Sequence, residues 1–362
     1  MRECILAINP GSTSTKIVVY EGEVCILRES IVHTKEELEQ FDALYDQISF
    51  RSSIIDAQMK KAGIEKKMLA AVVGRGGLIA PVASGTYRVD DAMLFDLKHT
   101  QRMHASNLGA LLAQRIADEA DCPAFIVDPV TVDERDPKAY WSGLKGVERT
   151  STFHALNQKA VARKTAALLG KRYEELNFVV AHMGGGFSVG AHRRGRVIDA
   201  SNALEGEGPF SPDRSGAVPI LRLLDFLQQN QIESQEEIRK LLLTAGGFVS
   251  YFGTNDLTAL RNREKEGDQE VTQILDAYVY QVAKEIGAYA TVLKGEIDAI
   301  VLTGGIAHSQ RIVTAIQTYI SYLASVYVWP GEDEMEALVL GALRVIRGEE
   351  QAKDYAVEKG SV

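Results

Sequence analysis

The chain has 362 residues, 46% of them hydrophobic and 25% charged, with a formal net charge of −9. That length points to about two domains, and the acid excess argues against a nucleic-acid partner, which would need a clustered basic surface. An odd count of three cysteines fits a reducing compartment; with no run near the ~18 apolar residues of a membrane span and no signal pattern, a cytoplasmic protein making no membrane contact is expected.

The chain opens on a strand–turn–strand–turn–strand unit. The apolar run 4–8 leads into the turn Asn9-Pro10-Gly11-Ser12-Thr13-Ser14-Thr15-Lys16, and strands follow at 17–20 and 24–30. A polar, helix-like stretch at about 34–63 places Leu38, Phe41, Leu44, Tyr45 and Ile48 at helical spacing. A buried-strand run at 68–74 ends in Arg75-Gly76-Gly77. A helix at 105–119 and a strand at 124–127, ending in Asp128-Pro129, complete the first half.

The second half repeats this order. A helix at 152–169 precedes a second hairpin unit: strand 177–182, turn Met183-Gly184-Gly185-Gly186-Phe187, strand 188–192, turn, strand 197–201. The run His192-Arg193-Arg194-Gly195-Arg196 reads as a solvated hairpin tip. A largely helical insertion spans about 219–294, then a strand at 297–302 ends in Thr303-Gly304-Gly305. A helix at 309–325, a strand at 326–329, a final helix at about 335–347 and a polar tail follow. Repeated order without repeated sequence predicts two α/β domains with mixed sheets. Ligands of such sheets bind beyond the strand carboxyl ends, where Arg75, Asp128, Gly304 and Gly331 fall.

The turns suit phosphate. Ser12, Thr13, Ser14 and Thr15 supply hydroxyl donors, Lys16 a point charge, and Asn9 an amide oxygen for a metal or its water. Three glycines at 184–186 let backbone approach a ligand where a Cβ would obstruct. With Arg75, Arg214, His104, His154, Asp128 and Glu334, these are the parts of phosphoryl transfer, which needs charge neutralisation and alignment more than covalent work by the protein.

The segments Ile8–Lys16, Val73–Gly77, His104–Gly109, Val127–Pro129, Phe153–Asn157, Val180–Gly186, Pro212–Ser215 and Leu302–Ile306 together resemble the acetate and butyrate kinase family of the sugar kinase–Hsp70–actin superfamily. The resemblance covers nearly the whole chain, and its versions of the first turn, Arg-Gly-Gly and His-Ala-Leu-Asn-Gln are those of the butyrate branch, which includes branched-chain fatty acid kinases. It implies two duplicated actin-like (ribonuclease H-like) domains with a central nucleotide cleft. Their expected bounds are 1–149, joined by a C-terminal helix at about 335–362, and 150–334. It also implies a homodimer or higher homo-oligomer, ATP/ADP and Mg2+ as cofactors, and a small carboxylate as substrate.

Position by position, the resemblance assigns Asn9, Ser12, Ser14 and Lys16 to the first phosphate loop, with Thr13 counted among them and Asn9 near the metal. Arg75 and Arg214 would hold the carboxylate and the transferring phosphoryl group. His154 would donate to the developing oxyanion, with His104 close by. Asp128 would orient the carboxylate or a metal-bound water, and Glu334 would be the metal-associated acid. Gly184, Gly185 and Gly186 would form the second phosphate loop, with His182, Asp256, Gly304 and Gly305 among the nucleotide-binding positions. Gly185 stands where acetate kinases have a phosphate-contacting asparagine, and Thr258 where they have an arginine on adenine. The implied reaction is butyrate + ATP ⇌ butyryl phosphate + ADP by direct in-line transfer. The alternatives are acetate or propionate phosphorylation, or a non-catalytic actin-like ATP-binding role. Gly76 and Gly77, small where acetate kinases are bulky, are expected to leave room for a longer acyl chain.

Overall fold

A computed structural model describes residues 4–100 and 103–360. The first hairpin unit is β1 (Cys4–Pro10), β2 (Ser14–Glu21) and β3 (Val24–Val32). Helices α1 (Lys35–Glu39) and α2 (Gln47–Lys61) lead to β4 (Leu69–Arg75) and β5 (Thr86–Arg88). Then come α3 (Asp91–His99), α4 (Leu108–Ala120) and β6 (Ala124–Val127). Helix α5 (Ala155–Leu168) precedes the second hairpin unit, β7 (Asn177–Met183), β8 (Phe187–Arg193) and β9 (Arg196–Ala200). The insertion holds α6 (Ile220–Gln229), α7 (Gln235–Leu243), α8 (Gly247–Phe252), α9 (Leu257–Lys265) and α10 (Gln269–Val292). The chain closes with β10 (Ala299–Gly304), α11 (Gln310–Ile320), β11 (Val326–Pro330), α12 (Glu334–Ile346), β12 (Lys353–Asp354) and α13 (Tyr355–Glu358).

The duplication is plain in the strand order. One sheet runs β12-β5-β6-β4-β1-β2-β3 and the other β11-β10-β7-β8-β9. Reading β6-β4-β1-β2-β3 against β11-β10-β7-β8-β9 gives the same order, with the hairpin strands antiparallel and the rest parallel in both. Both are mixed α/β sheets, as the element order predicts.

The chain divides into two compact units, Met1–Asp133 with Asp333–Val362, and Glu134–Glu332. The segment 134–149 belongs with the second unit for a local reason. Arg149 donates twice to the Glu207 carboxylate at 2.9 Å, to Asp199 at 3.0 Å, and to the carbonyls of Ala139 and Ala200. Tyr289 and Glu285 of α10 lie in the same electrostatic cluster.

In the first unit α4 and α12 both pack on β1, β4 and β6. The approach of α4 is set by two glycines: a Cβ on Gly74 would strike the Gly109 backbone, and one on Gly109 would strike Arg75. Helix α12 is fixed the same way, with Gly341 against Val127 and its carbonyl accepting from Thr86 Oγ1 at 3.2 Å.

Several expectations change here. The stretch at 34–63 is two helices rather than one: Thr34 and Glu37 close a capping box that starts the short α1, which ends at Glu39. Asp46 then takes the Ala43 N–H at 3.0 Å, a side-chain bond that competes with helix continuation. Helix α3 and strand β5 carry no strong period and are found only in the structure. The tail is not simply polar: Tyr355 is fully buried, donates to Asp96 at 2.5 Å and accepts from the Ala80 N–H. His192 is 0% exposed, so only Arg193 to Arg196 form the solvated tip.

Gly74→Ala is expected to cost about 1–3 kcal/mol through overpacking against α4, read as a lower thermal midpoint. An unchanged midpoint would show that α4 can retreat without loss. Burial, then the Glu207 carboxylate, pushes Glu285 up to about 7 from 4.5, against a partial offset from Arg149. An acid whose pKa rises on folding holds extra protons when folded, so its contribution falls as pH climbs through that window. Glu285→Gln should therefore raise the melting temperature at about pH 8 and change it little at about pH 5. Equal effects at both would place Glu285 outside this cluster.

Candidate active site

Strand register brings three sequence candidates into a row. β1 pairs with β4 at Ile8–Gly74, and β4 pairs with β6 at Arg75–Val127, so Asn9, Arg75 and Asp128 occupy neighbouring strand ends. Glu334, the first residue of α12, joins them. Its Oε1 lies 2.6 Å from Arg75 Nη1, and its Oε2 accepts from Asn9 Nδ2 at 3.0 Å. The arginine contact is an ion pair whose alignment lies outside that of a hydrogen bond. Side-chain exposures of 11% and 18% leave this pair weakly screened.

Asp128 follows β6 with φ at 38°, a left-handed backbone that a non-glycine residue adopts at a cost of about 1–3 kcal/mol. Its Oδ1 accepts from Ser84 Oγ at 2.5 Å and from the Gly85 N–H at 2.9 Å, which hold the carboxylate in place. His104 pairs through Nδ1 with Ser106 Oγ at 2.7 Å. Burial, and then the Arg75 charge, lowers its pKa, so His104 is a neutral ring at pH near 7.

The glycines after Arg75 do not open an acyl pocket. A Cβ on Gly76 would meet Pro129, and one on Gly77 would meet Asn107 and Leu97. They are small because the protein itself packs there.

The β1–β2 turn is built to present donors. Lys16 stands opposite Asn9 in the ladder, and Ser12, Thr13 and Lys16 are exposed. The turn's carbonyls are engaged from within: Ser14 O accepts from Gly11 N at 2.7 Å and Arg51 Nη1 at 2.9 Å, and Thr13 O accepts from His33 N at 2.9 Å. Ser12 O accepts from Arg51 Nη2 at 3.4 Å, and Thr15 Oγ1 from Arg51 Nη1 at 2.8 Å. Arg51 is 1% exposed and its remaining bonds go to Gln47 Oε1. Burial without a carboxylate partner pushes it down to about 10, still a cation at neutral pH. Positive charge therefore sits beneath a turn whose exposed Ser12 and Thr13 offer hydroxyl groups, a setting for a phosphate.

In the second unit the row is His182, Gly304 and Gly331, set by the pairings Thr303–His182 and Gly304–Pro330. Gly304 has φ of 89° and lies too close to Met183 for a Cβ, whereas Gly305 borders open space. Asn157 Nδ2 donates to His182 Nδ1 at 2.8 Å, and His182 Nε2 lies 3.1 Å from Glu332 Oε1. The His154 ring stacks on His182 with centroids 3.7 Å apart and planes within 4°.

The triple glycine serves the site's own side chains. A Cβ on Gly186 would collide with the Arg214 guanidinium, and one on Gly184 would crowd His182 and Glu332. Ser211 Oγ donates to the Gly185 carbonyl at 2.5 Å and accepts from the Arg214 N–H at 3.2 Å, so turn and arginine are fixed together. Burial lowers the Arg214 pKa from its usual value, with Asp213 opposing the shift. Arg214 forms one wall of a pocket of about 720 Å³ shared with Phe187, Leu204, Val218, Leu223 and Leu242. Asp256 is found capping α9, accepting from the Thr258 and Ala259 N–H groups.

Asn9 and Glu334 carry hard oxygens of the kind Mg2+ takes, one or two from protein with water and phosphate filling its shell, so the residues present would fit that ion. Among the described residues no cluster of three or more His, Cys, Asp or Glu could hold a metal without such help.

Sequence reasoning passed over Arg51, Gln158, Ser188 and Glu332. Arg51 did leave a trace: it lies four residues before Ile55 and eight before Met59, on the stripe that α2 buries. Arg51→Met should cost about 2–4 kcal/mol by leaving inward-facing carbonyls unmet, measured by chemical denaturation. A loss below about 0.5 kcal/mol would mean the turn holds its shape unaided.

Comparison with known proteins establishes the kinship and the fold. The signature of the Acetokinase family matches residues 138–328. Butyrate kinase 1 of Clostridium acetobutylicum is 51% identical over 352 residues, spanning 97% of this chain and 99% of that one. The crystal structure of Porphyromonas gingivalis acetate kinase superposes with a TM-score of 0.78 at 20% identity, covering 95% of this chain and 100% of that one. A propionate kinase from Francisella tularensis gives 0.69 at 18% identity over 94% and 98% of the two chains. At such identities the crystal structures speak for the fold, while the 51% relative carries the kinship. The chain belongs to the acetokinase family.

Proposed function

We propose that this protein transfers phosphoryl reversibly between ATP and a short-chain fatty acid, chiefly butyrate + ATP ⇌ butyryl phosphate + ADP. The observation that carries this reading is the near-complete match to a protein named Butyrate kinase 1, 51% identical from end to end. The Asn9–Glu334–Arg75 cluster adds chemical support.

The acceptor is a carboxylate, with a reference pKa near ~4, so it is ionised at neutral pH and needs no strong base. One of its oxygens forms a bond to the γ-phosphorus as the bond to the departing ADP oxygen breaks. No proton has to move. Arg75 orients the carboxylate through its guanidinium fork. Arg214 and His154 take up charge on the equatorial phosphoryl oxygens. The 11–14 turn, with Lys16, binds phosphate through its donors, and Gly184 to Gly186, His182, Gly304 and Gly305 belong to the nucleotide side. Asp128 orients the carboxylate or a metal-bound water, with His104 close by. Mg2+, held by Asn9 and Glu334, would neutralise phosphate charge. The reading includes a cytoplasmic homodimer or higher homo-oligomer.

The test is a hydroxamate assay for acyl phosphate with ATP and Mg2+ across acetate, propionate, butyrate, isobutyrate and isovalerate. The expected kcat/KM maximum falls at the four- or five-carbon acids. A maximum at acetate would reassign the substrate, and no hydroxamate from any acid would end the kinase reading. Arg75→Ala and Arg214→Ala should each lower kcat about 100-fold or more in protein that still folds, Arg75→Ala with a lower melting temperature because Glu334 loses its partner. Near-normal turnover in either would remove that arginine from the mechanism.

A further inference from the structure

Behind His154 lies a run of fully buried polar side chains that the reaction does not itself touch. Gln158, Ser188 and His192 are each 0% exposed. Their hydrogen bonds have only one consistent direction. Gln158 Nε2 reaches the Ser188 carbonyl at 3.2 Å, which can only accept, so the amide orientation is fixed. Gln158 Oε1 therefore faces His192 Nε2 at 3.0 Å, and that nitrogen must carry a proton. Burial, with Lys159 and Arg163 nearby, drives the His192 pKa well below its ordinary value, so the ring is neutral and its Nδ1 is bare. Tyr173 OH, 2.7 Å away, donates to it.

Gln158 Nε2 also donates to Ser188 Oγ at 2.9 Å, and the His154 N–H points to that oxygen at 3.4 Å. Among the described residues the one acceptor left for the Ser188 hydroxyl proton is His154 Nδ1, at 2.7 Å. His154 Nδ1 is thus an acceptor, and its mobile proton resides on Nε2. Gly190 belongs to this design: a Cβ there would collide with Gln158 Oε1 and crowd His192 Nε2 at 3.0 Å.

We propose that Gln158, oriented by His192 and given room by Gly190, acts through Ser188 as a positioning residue that holds His154 as the Nε2–H tautomer. The role of this tautomer rests on the functional reading above: a histidine that must donate to a developing oxyanion needs its proton on the nitrogen remote from Ser188. A bare Nε2 would instead set a lone pair against the phosphoryl oxygens.

The experiment records imidazole 15N signals of selectively labelled full-length protein, with His154→Gln to assign the ring, alongside hydroxamate kinetics. The wild type should show His154 as Nε2–H. Gln158→Glu replaces the donor with an acceptor, so the Ser188 proton turns toward it and His154 Nδ1 becomes the donor. The expected result is the Nδ1–H pattern, with kcat down about tenfold or more and KM for ATP within about twofold. Gly190→Ala alters no donor or acceptor yet displaces Gln158, and should give mixed tautomers if Gln158→Glu fails to fold. A wild-type ring already in the Nδ1–H form, or no tautomer change in either folded variant, would overturn the proposal. Absence of acyl phosphate in the wild type would defeat the functional reading alone, because the 15N signature tests the chain of bonds without turnover.

Discussion

One carboxylate ties the first unit's site together. Glu334 is reached by Arg75 from the end of β4 and by Asn9 from the end of β1, so three distant stretches of chain converge on two oxygens. Arg75 would otherwise be a nearly buried cation without a counter-charge, and removing one partner of such a pair costs far more than the pair contributes. The position of Glu334 in the first turn of α12 suits its charge, since the helix N-terminus favours an anion. Asp333 caps the same turn, accepting from the Glu336 N–H at 3.0 Å. The close fit of Gly341 against Val127 sets where α12 lies and hence where Glu334 arrives.

The second unit reaches similar order with mostly neutral groups. His182 is held by Asn157 and Glu332, and His154 by Ser188 and the stacked His182 ring. In a buried setting an unmet donor or acceptor is expensive, so such a network settles on one pattern of proton positions. The charged cluster and the neutral network do different work. The first supplies full charge near the strand ends, and the second specifies which nitrogen of a ring holds a proton.

Glycine has a consistent use in both units. Gly74 and Gly109 admit backbone against backbone beside Arg75, Gly186 admits the Arg214 guanidinium, and Gly190 admits the Gln158 amide. The missing Cβ makes room for the protein's own functional groups. The same fact corrects the reading of Gly76 and Gly77, whose free space is filled by Pro129, Asn107 and Leu97. A glycine in a motif marks a close approach, but its letter does not say by what.

Much was legible in the sequence because it is local. Alternating apolar runs, hydroxyl- and glycine-rich turns and the order of elements were enough for two related α/β units with Asn9, Arg75, Asp128 and Gly304 at strand ends. Those properties depend on periods of two and of about 3.6 residues, which a chain displays without folding. The buried partners were not legible. Arg51 beneath the first turn, Glu332 beside His182, Tyr355 in the first core and His192 inside its hairpin each look like ordinary polar or surface residues in their own neighbourhoods. Their roles come from contacts between segments far apart in sequence, where burial, fixed distance and the need to satisfy every polar group select one arrangement. The sequence by itself determined the repeated architecture and the reactive residue types. Tertiary packing alone decided which groups pair, which glycines are crowded and on which nitrogen His154 holds its proton, because only the folded chain brings the competing donors and acceptors within reach.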